Sequence, residues 1–223
     1  MLDGFLLVDK EKGVSSFDEI RRARKLCGEW KMGHSGTLDP LATGLLILGL
    51  GKATKQLGKL LGSYKEYEVT AHFGAVSDSY DADGKIEKMD EIVAAKKEEI
   101  LDAISKNFLG EISQMPPKYS ALKIGGKRAC DIMRAGGTVE VKPRQVKIYS
   151  FELKSLAWPR AVFLIKCSSG TYIRSLVHDL GQVLKCGAYV EELRRTKIAD
   201  FDVKNAIKLS EIKVIEESML IAI

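Results

Sequence analysis

One acid, one histidine and three glycines lie together in Met32-Gly33-His34-Ser35-Gly36-Thr37-Leu38-Asp39-Pro40-Leu41-Ala42-Thr43-Gly44, directly before the apolar run Leu45-Leu46-Ile47-Leu48. A carboxylate on a turn that leads into a buried strand can be held rigidly and still face a cleft. Pro40 tightens the restraint, because the residue before a proline is pushed out of the helical region. Asp39 is therefore the candidate reactive acid, and the segment reads as an active-site loop. The competing reading is a helix start, with Asp as N-cap and Pro at the first helical position. Tyr67 opens the alternating segment Tyr67-Glu68-Val69-Thr70-Ala71-His72-Phe73, so its ring can pack at a core edge with the hydroxyl near a cleft. An ordinary core-edge tyrosine fits the same pattern. Arg174 stands beside apolar Ile173 and Leu176 at a strand-to-helix junction, where a guanidinium needs a carboxylate partner. His178, nearby, reads as a packing or surface residue.

The elements that must position these residues follow from periodicity. Gly4 to Val8 is a buried strand. Ser16-Phe17-Asp18-Glu19 has the spacing of a capping box and opens a helix to about Leu26, whose Arg21, Arg22, Arg24 and Lys25 offer a face for phosphate contact or merely for water. Leu45 to Leu50 is a second buried strand, and Lys52 to Leu61 a helix that Gly62 ends. Ser77 to Gly84, with Asp78, Asp81 and Asp83, resembles part of a calcium loop, but the closing ligand falls on Asp90 instead of Glu, so it reads as a loop joining two strands. Ile100, Leu101, Ile104 and Phe108 mark an amphipathic helix within Ala94 to Phe108. Adjacent Pro116 and Pro117 forbid a regular element around Gln114 to Lys123, and Gly125-Gly126 make a turn. Ala161 to Cys167 is a strand; Leu176, Val177, Leu180 and Leu184 form the buried stripe of a helix. Leu193-Arg194-Arg195 ends an element, and Phe201 to Ile223 reads as a strand and a closing helix.

Composition bounds the function classes. The 223 residues are 45% hydrophobic, normal for a soluble core, and no apolar run is long enough to span a membrane. The N-terminus lacks a secretory signal pattern, so the cytoplasm is the expected address. Cys27, Cys130, Cys167 and Cys186 are scattered, so neither a zinc site nor a disulfide framework is indicated. Gly44 to Thr54 fails the triphosphate-loop pattern at Leu46 and Ala53, so ATP use is not supported. The formal charge is +5, but between Gln114 and Lys147 eight cations (Lys118, Lys123, Lys127, Arg128, Arg134, Lys142, Arg144, Lys147) face only Asp131 and Glu140. That concentration suits a polyanion, since each phosphate neutralised releases counterions. A solvated basic face would look the same.

Gly33-His34-Ser35-Gly36-Thr37-Leu38-Asp39-Pro40-Leu41-Ala42-Thr43-Gly44 resembles the signature of the TruB family of tRNA pseudouridine synthases. Tyr67 within Lys65-Glu66-Tyr67-Glu68-Val69, the Pro117-Lys118-Tyr119-Ser120-Ala121-Leu122-Lys123 segment, Gly170-Thr171-Tyr172-Ile173-Arg174 and Leu193-Arg194-Arg195 follow in the family's order. The resemblance implies an α+β pseudouridine synthase fold, with a mixed, mostly antiparallel sheet flanked by helices; in a departure from the family, a full C-terminal domain of the PUA type is not expected in a chain that stops at Ile223. It implies a single catalytic domain over 1–223, with a basic RNA-clamping insertion at about 114–142. The implied reaction converts a T-loop uridine of tRNA, position 55, to pseudouridine: base flipping, glycosidic cleavage, then rejoining through carbon. Asp39 would be nucleophile or ribose-directed base, Arg174 its cationic partner, and Tyr67 a base-stacking residue that takes the carbon-bound proton. His34 would fill the space vacated by the flipped nucleotide, Leu193 would pack on it, and Tyr172, Lys123 and Arg128 would bind substrate. No cofactor and no metal are implied, nor a membrane or an obligatory protein partner; the expected state is a monomer bound to the T-arm of tRNA. Where the family has Lys-Pro, this chain has Lys10-Glu11, an acid at a turn expected to face RNA. A tRNA-folding chaperone and a guide-dependent catalytic subunit of a box H/ACA particle are the competing readings.

Overall fold

The computed structural model describes residues 2–90 and 92–222. Along the chain lie β1 (Gly4–Lys10), α1 (Ser16–Cys27), β2 (Met32–His34), β3 (Thr43–Leu50), α2 (Leu57–Gly62), β4 (Lys65–Phe73), β5 (Ala75–Ser77) and β6 (Ile86–Lys88). There follow α3 (Lys97–Asn107), β7 (Gly110–Gln114), β8 (Lys123–Ile124), β9 (Lys127–Arg128), α4 (Ala129–Arg134) and β10 (Arg144–Ala157). The last elements are β11 (Arg160–Cys167), α5 (Ile173–Val183), β12 (Ala188–Ile198) and β13 (Phe201–Asp202). Two compact units divide the chain, one running to Tyr67 and resuming at Leu193, the other comprising Glu68–Glu192. Among the described residues no helix is long and apolar enough to cross a membrane.

In the first unit β3 is central. It pairs antiparallel with β1 from Lys10↔Gly44 to Gly4↔Leu50, antiparallel with β2, and parallel with β12 at Thr43 and Gly44. The apolar runs of β1 and β3 are continuous because both faces are covered. Leu6, Val8, Leu46 and Leu48 pack with Ile20 and Ala23 of α1 on one side. Phe5, Leu7, Leu45 and Ile47 pack with Leu57 and Leu60 of α2 on the other. The cap of α1 is Ser15, paired reciprocally with Asp18, one residue earlier than the sequence pattern places it; Ser16 is thereby freed for another partner. The expected helix from Lys52 begins instead as a 3-10 turn, Gly51–Gln56, where the Thr54 hydroxyl donates to Gly51 O, and becomes α-helical only at Leu57. No closing α-helix forms among the described residues after Phe201, only the 3-10 turns Val203–Asn205 and Glu217–Met219. That segment runs irregularly along the free edge of β1, exchanging bonds between Phe5 and Ile221 (2.9 and 2.8 Å) and from Asp9 N to Ile207 O (2.8 Å). An uncovered edge strand would leave those groups unpaired, and a helix could not satisfy them. Leu193-Arg194-Arg195 likewise does not end an element, since β12 continues to Ile198.

In the second unit the strand order is β4-β11-β10-β7, with β10 antiparallel to both neighbours. The buried face of β4 carries Val69, Ala71 and Phe73 as the alternation predicts. Helix α3 buries Ile100, Ala103 and Ile104, whereas Leu101 is 41% exposed; Ala103, not Leu101, completes the stripe because i and i+3/i+4 share a face. Helix α5 buries Leu176, Val177 and Leu180, with Leu184 at its C-cap. The acidic loop Ser77–Gly84 joins the hairpin β5–β6. The β3–β12 pair is parallel, whereas β1–β3, β2–β3, β7–β10 and β10–β11 are antiparallel, so the sheet is mixed and mostly antiparallel.

Candidate active site

The Asp39 loop is fastened through its backbone at several points. The Ser16 hydroxyl accepts from Leu38 N (2.8 Å) and donates to Leu38 O (3.2 Å). The Lys10 ammonium, 0% exposed, donates to Glu11 O (2.9 Å), Val14 O (2.7 Å) and Pro40 O (3.4 Å), and Gly13 N reaches the same Pro40 carbonyl (2.8 Å). Arg195, also buried, donates from Nε to Leu45 O (2.7 Å) and from Nη2 to Gly36 O (3.1 Å). Ala42 N closes a turn on Asp39 O (3.0 Å), and the chain enters β3. Asp39 therefore caps no helix. Its side chain is half-buried, between buried Leu38 and Leu41 and exposed Thr37 and Pro40. The motif glycines have backbone reasons: at Gly44 (φ +98°) a Cβ would stand 2.3 Å from Arg195 O, and Gly36 lies at φ +127°, where L residues are rare.

Electrostatics follow the packing. Burial pulls the Lys10 pKa down to about 8, against the opposing pull of Glu19 and Asp39. His34 is also held below its ordinary value, first by burial and then by the Arg195 charge. Its Nδ1 accepts from Gly36 N (3.2 Å), which leaves the proton of the neutral ring on Nε2. Arg194 forks onto Asp9 (2.9 and 2.8 Å), so β12 is tied to β1 as well as to the loop. Tyr67 is half-buried on β4, and Leu193 is buried on β12. Glu11, the departure from the usual Lys-Pro, faces Arg22 at 3.5 Å.

The second unit holds Arg174, which is 5% exposed and pairs with the equally buried Asp81 at 3.2 Å. Its guanidinium also donates to Ser79 O (2.8 Å) and Tyr119 O (2.9 Å). Asp81 is fixed in turn by the Ser79 hydroxyl (2.5 Å) and Asp83 N (3.1 Å). The root of the basic segment is clamped to the start of α5. Gln114 pairs both ways with the Tyr172 backbone (2.8 and 3.0 Å), and the Ser175 hydroxyl donates to Met115 O (2.7 Å). The Arg144 guanidinium lies over the Tyr172 ring at 5.8 Å. Lys123 and Arg128 are exposed on the β8–β9 hairpin, Arg128 forked onto Asp131 (2.8 and 3.1 Å).

His34, Asp39, Tyr67 and Leu193 thus belong to the first unit, and Tyr172, Arg174, Lys123 and Arg128 to the second. Sequence reasoning did not single out Asp81, although it required a carboxylate for Arg174 and noted the acids of Ser77–Gly84. Nor did it assign loop-bracing roles to Lys10, Ser16 and Arg195, which no local spacing reveals.

The chain is similar to known proteins in fold and in sequence. The fold is similar to a chain of the Cbf5-Nop10-Gar1 complex, with a TM-score of 0.72 and 30% identity, covering 93% of this chain and about half (52%) of that one. In sequence the chain is 46% identical to tRNA pseudouridine synthase B of Endomicrobium trichonymphae (94% of this chain, 91% of that protein) and 45% identical to that of Aquifex aeolicus (94% and 73%). It is 42% identical to that of Flavobacterium johnsoniae (96% and 95%). The class defined is that of an RNA-modifying isomerase, a pseudouridine synthase. The model of the TruB family pseudouridylate synthase N-terminal domain matches residues 24–173, and that of the tRNA pseudouridylate synthase B C-terminal domain matches residues 174–220. The chain belongs to the TruB family.

Proposed function

We propose that this enzyme converts uridine 55 in the T-loop of tRNA to pseudouridine, with Asp39 acting at the ribose of a flipped-out nucleotide. The observation that carries this reading is the bracing of the Asp39 loop: Ser16, Lys10 and Arg195 hold the backbone at Leu38, Pro40, Gly36 and Leu45 while the carboxylate remains half-exposed. Such preorganisation is what a reaction needs when one acid must meet one sugar carbon in a fixed geometry. In this scheme the bond from N1 to C1′ breaks, the base turns, and C5 bonds to C1′. The C5 proton passes to a base and N1 regains a proton, so the reaction is redox-neutral. Arg174, oriented by Asp81, serves as the cationic partner of Asp39 and favours its ionised form. Tyr67 stacks on the uracil and accepts the late proton. Leu193 packs against the nucleotide, and His34, a neutral ring, fills the gap left in the T-loop. Tyr172, Lys123 and Arg128 bind RNA, and the segment at about 114–142 closes over it and keeps water from the intermediate. The whole chain is read as one catalytic domain with that insertion, working in the cytoplasm as a monomer without a protein partner, metal or organic cofactor.

The test is to incubate the purified protein with an unmodified tRNA transcript and map pseudouridine. Wild type is expected to convert one T-loop uridine. Asp39→Asn is expected to lose product formation by at least about 1,000-fold while still binding tRNA. Product formed by Asp39→Asn at the wild-type rate would overturn the assignment.

A further inference from the structure

We infer that the outer face of α1, continued by Trp30, is a second RNA contact that receives nucleotides beside the target loop. The inference rests on the proposed tRNA substrate.

Helical geometry, at about 100° per residue, gathers Phe17, Arg21, Arg24 and Lys25 into one stripe about 100° wide. The stripe contains no acid; Ser16, Glu19, Ile20 and Ala23 point the other way and are buried. Phe17 is 55% exposed and Trp30 is 75% exposed. Each is covered on one side by an arginine: Arg21 lies over the Phe17 ring at 5.6 Å and Arg24 over the Trp30 ring at 5.9 Å. Lys25 and Lys31 are exposed beside them. Arg21 also bonds to Asp18 at the stripe's edge.

Two exposed aromatic rings, each with a guanidinium on it, are costly to leave in water and match single-stranded RNA in both respects. A ring offers a face to any unpaired base, and the cations neutralise phosphates. The position of the stripe singles out RNA as its occupant. It begins at Phe17, the residue after Ser16, whose hydroxyl holds both backbone groups of Leu38, the neighbour of Asp39. From there α1 extends its 12 residues, about 18 Å. An RNA that delivers a nucleotide to Asp39 therefore has an adjoining surface of opposite charge on which to lay its flanking residues.

The experiment measures binding of unmodified tRNA to the full chain across a KCl series, together with turnover. Trp30→Ala is expected to weaken binding about tenfold, and Trp30→Phe to recover most of it. The pair Arg21→Gln/Lys25→Gln is expected to reduce the slope of log affinity against log salt by about 1 to 2. The rate at saturating tRNA is expected to stay within about twofold, since the surface binds without touching the reacting atoms. Lys59→Gln/Lys204→Gln removes the same charge from exposed positions beside the Leu57, Leu60 and Val203 cluster, on the side of β1 and β3 opposite α1, and is expected to change the slope by less than half as much. Wild-type binding by the stripe variants, an equal loss in the lysine pair, or a fall in the saturated rate would each overturn the inference. A wild-type protein that neither binds nor modifies tRNA would instead refute the proposed function itself.

Discussion

Arg195 offers a stringent test of the idea that the loop is held from beneath. Its guanidinium is buried and donates to Leu45 O at 2.7 Å and Gly36 O at 3.1 Å, the two shoulders of the segment that carries Asp39. Arg195→Met keeps most of the aliphatic volume and removes both donors. A hydrogen bond to a charged group contributes about 1.5–3 kcal/mol, and an abandoned buried carbonyl costs about 1–3 kcal/mol. Part of that loss is offset because the substitution also removes a buried charge. The balance is a destabilisation of about 2–4 kcal/mol, which for a chain of this size lowers Tm by about 4–16 °C. Arg195→Lys, with the charge but not the fork, is expected to lie between the two. Removing the charge also takes away one of the forces holding His34 below its usual pKa, so the ring is expected to titrate higher in Arg195→Met. Thermal melts, pseudouridine formation at saturating tRNA and imidazole NMR titration read the three consequences. An Arg195→Met protein with unchanged Tm and wild-type turnover would refute the bracing argument.

Asp81→Asn removes one member of an ion pair whose two side chains are each 5% exposed; turnover is expected to fall at least about 100-fold with tRNA affinity within a few-fold, and equal losses in both would argue for collapse of the unit instead. Gly44→Ala sets a Cβ 2.3 Å from Arg195 O at a φ of +98°, so urea unfolding is expected to show a loss of about 3 kcal/mol or more. The Lys10 pKa is lowered from 10.5 to about 8 by burial, so between those values the unfolded chain binds more protons than the native one. Stability is therefore expected to rise with pH across that window, by up to about 3 kcal/mol. Lys10→Met should abolish that part of the slope, and equal pH profiles for the two proteins would contradict it.

Much of the chemistry was legible in local sequence because it depends on short-range geometry. Asp39-Pro40 before Leu45–Leu48 does form a turn into a buried strand, and the alternation of β4 and the stripe of α5 appear as their periods require. The β5–β6 connection is the loop that Ser77–Gly84 suggested. The misreadings share a cause. Ser15 rather than Ser16 caps α1, since both patterns satisfy a capping box locally and the choice is made by Leu38, 22 residues away, which takes the Ser16 hydroxyl. The segment after Phe201 reads as a strand and a closing helix, but the open edge of β1 recruits Ile207 and Ile221 into bridges that a helix could not make.

By itself the sequence determined the candidate acid, the apolar strands that bury its support, the concentration of positive charge and the family signature, because each is written in neighbouring residue types or in a fixed period. Tertiary structure alone decided which side chains restrain them. Lys10 and Arg195 grip the loop from positions 30 and 159 residues away from the carbonyls they reach, and Arg174 finds Asp81 across 93 positions of sequence. Burying a charge is tolerable only where a partner waits, and that partner is chosen by the packing of the whole chain.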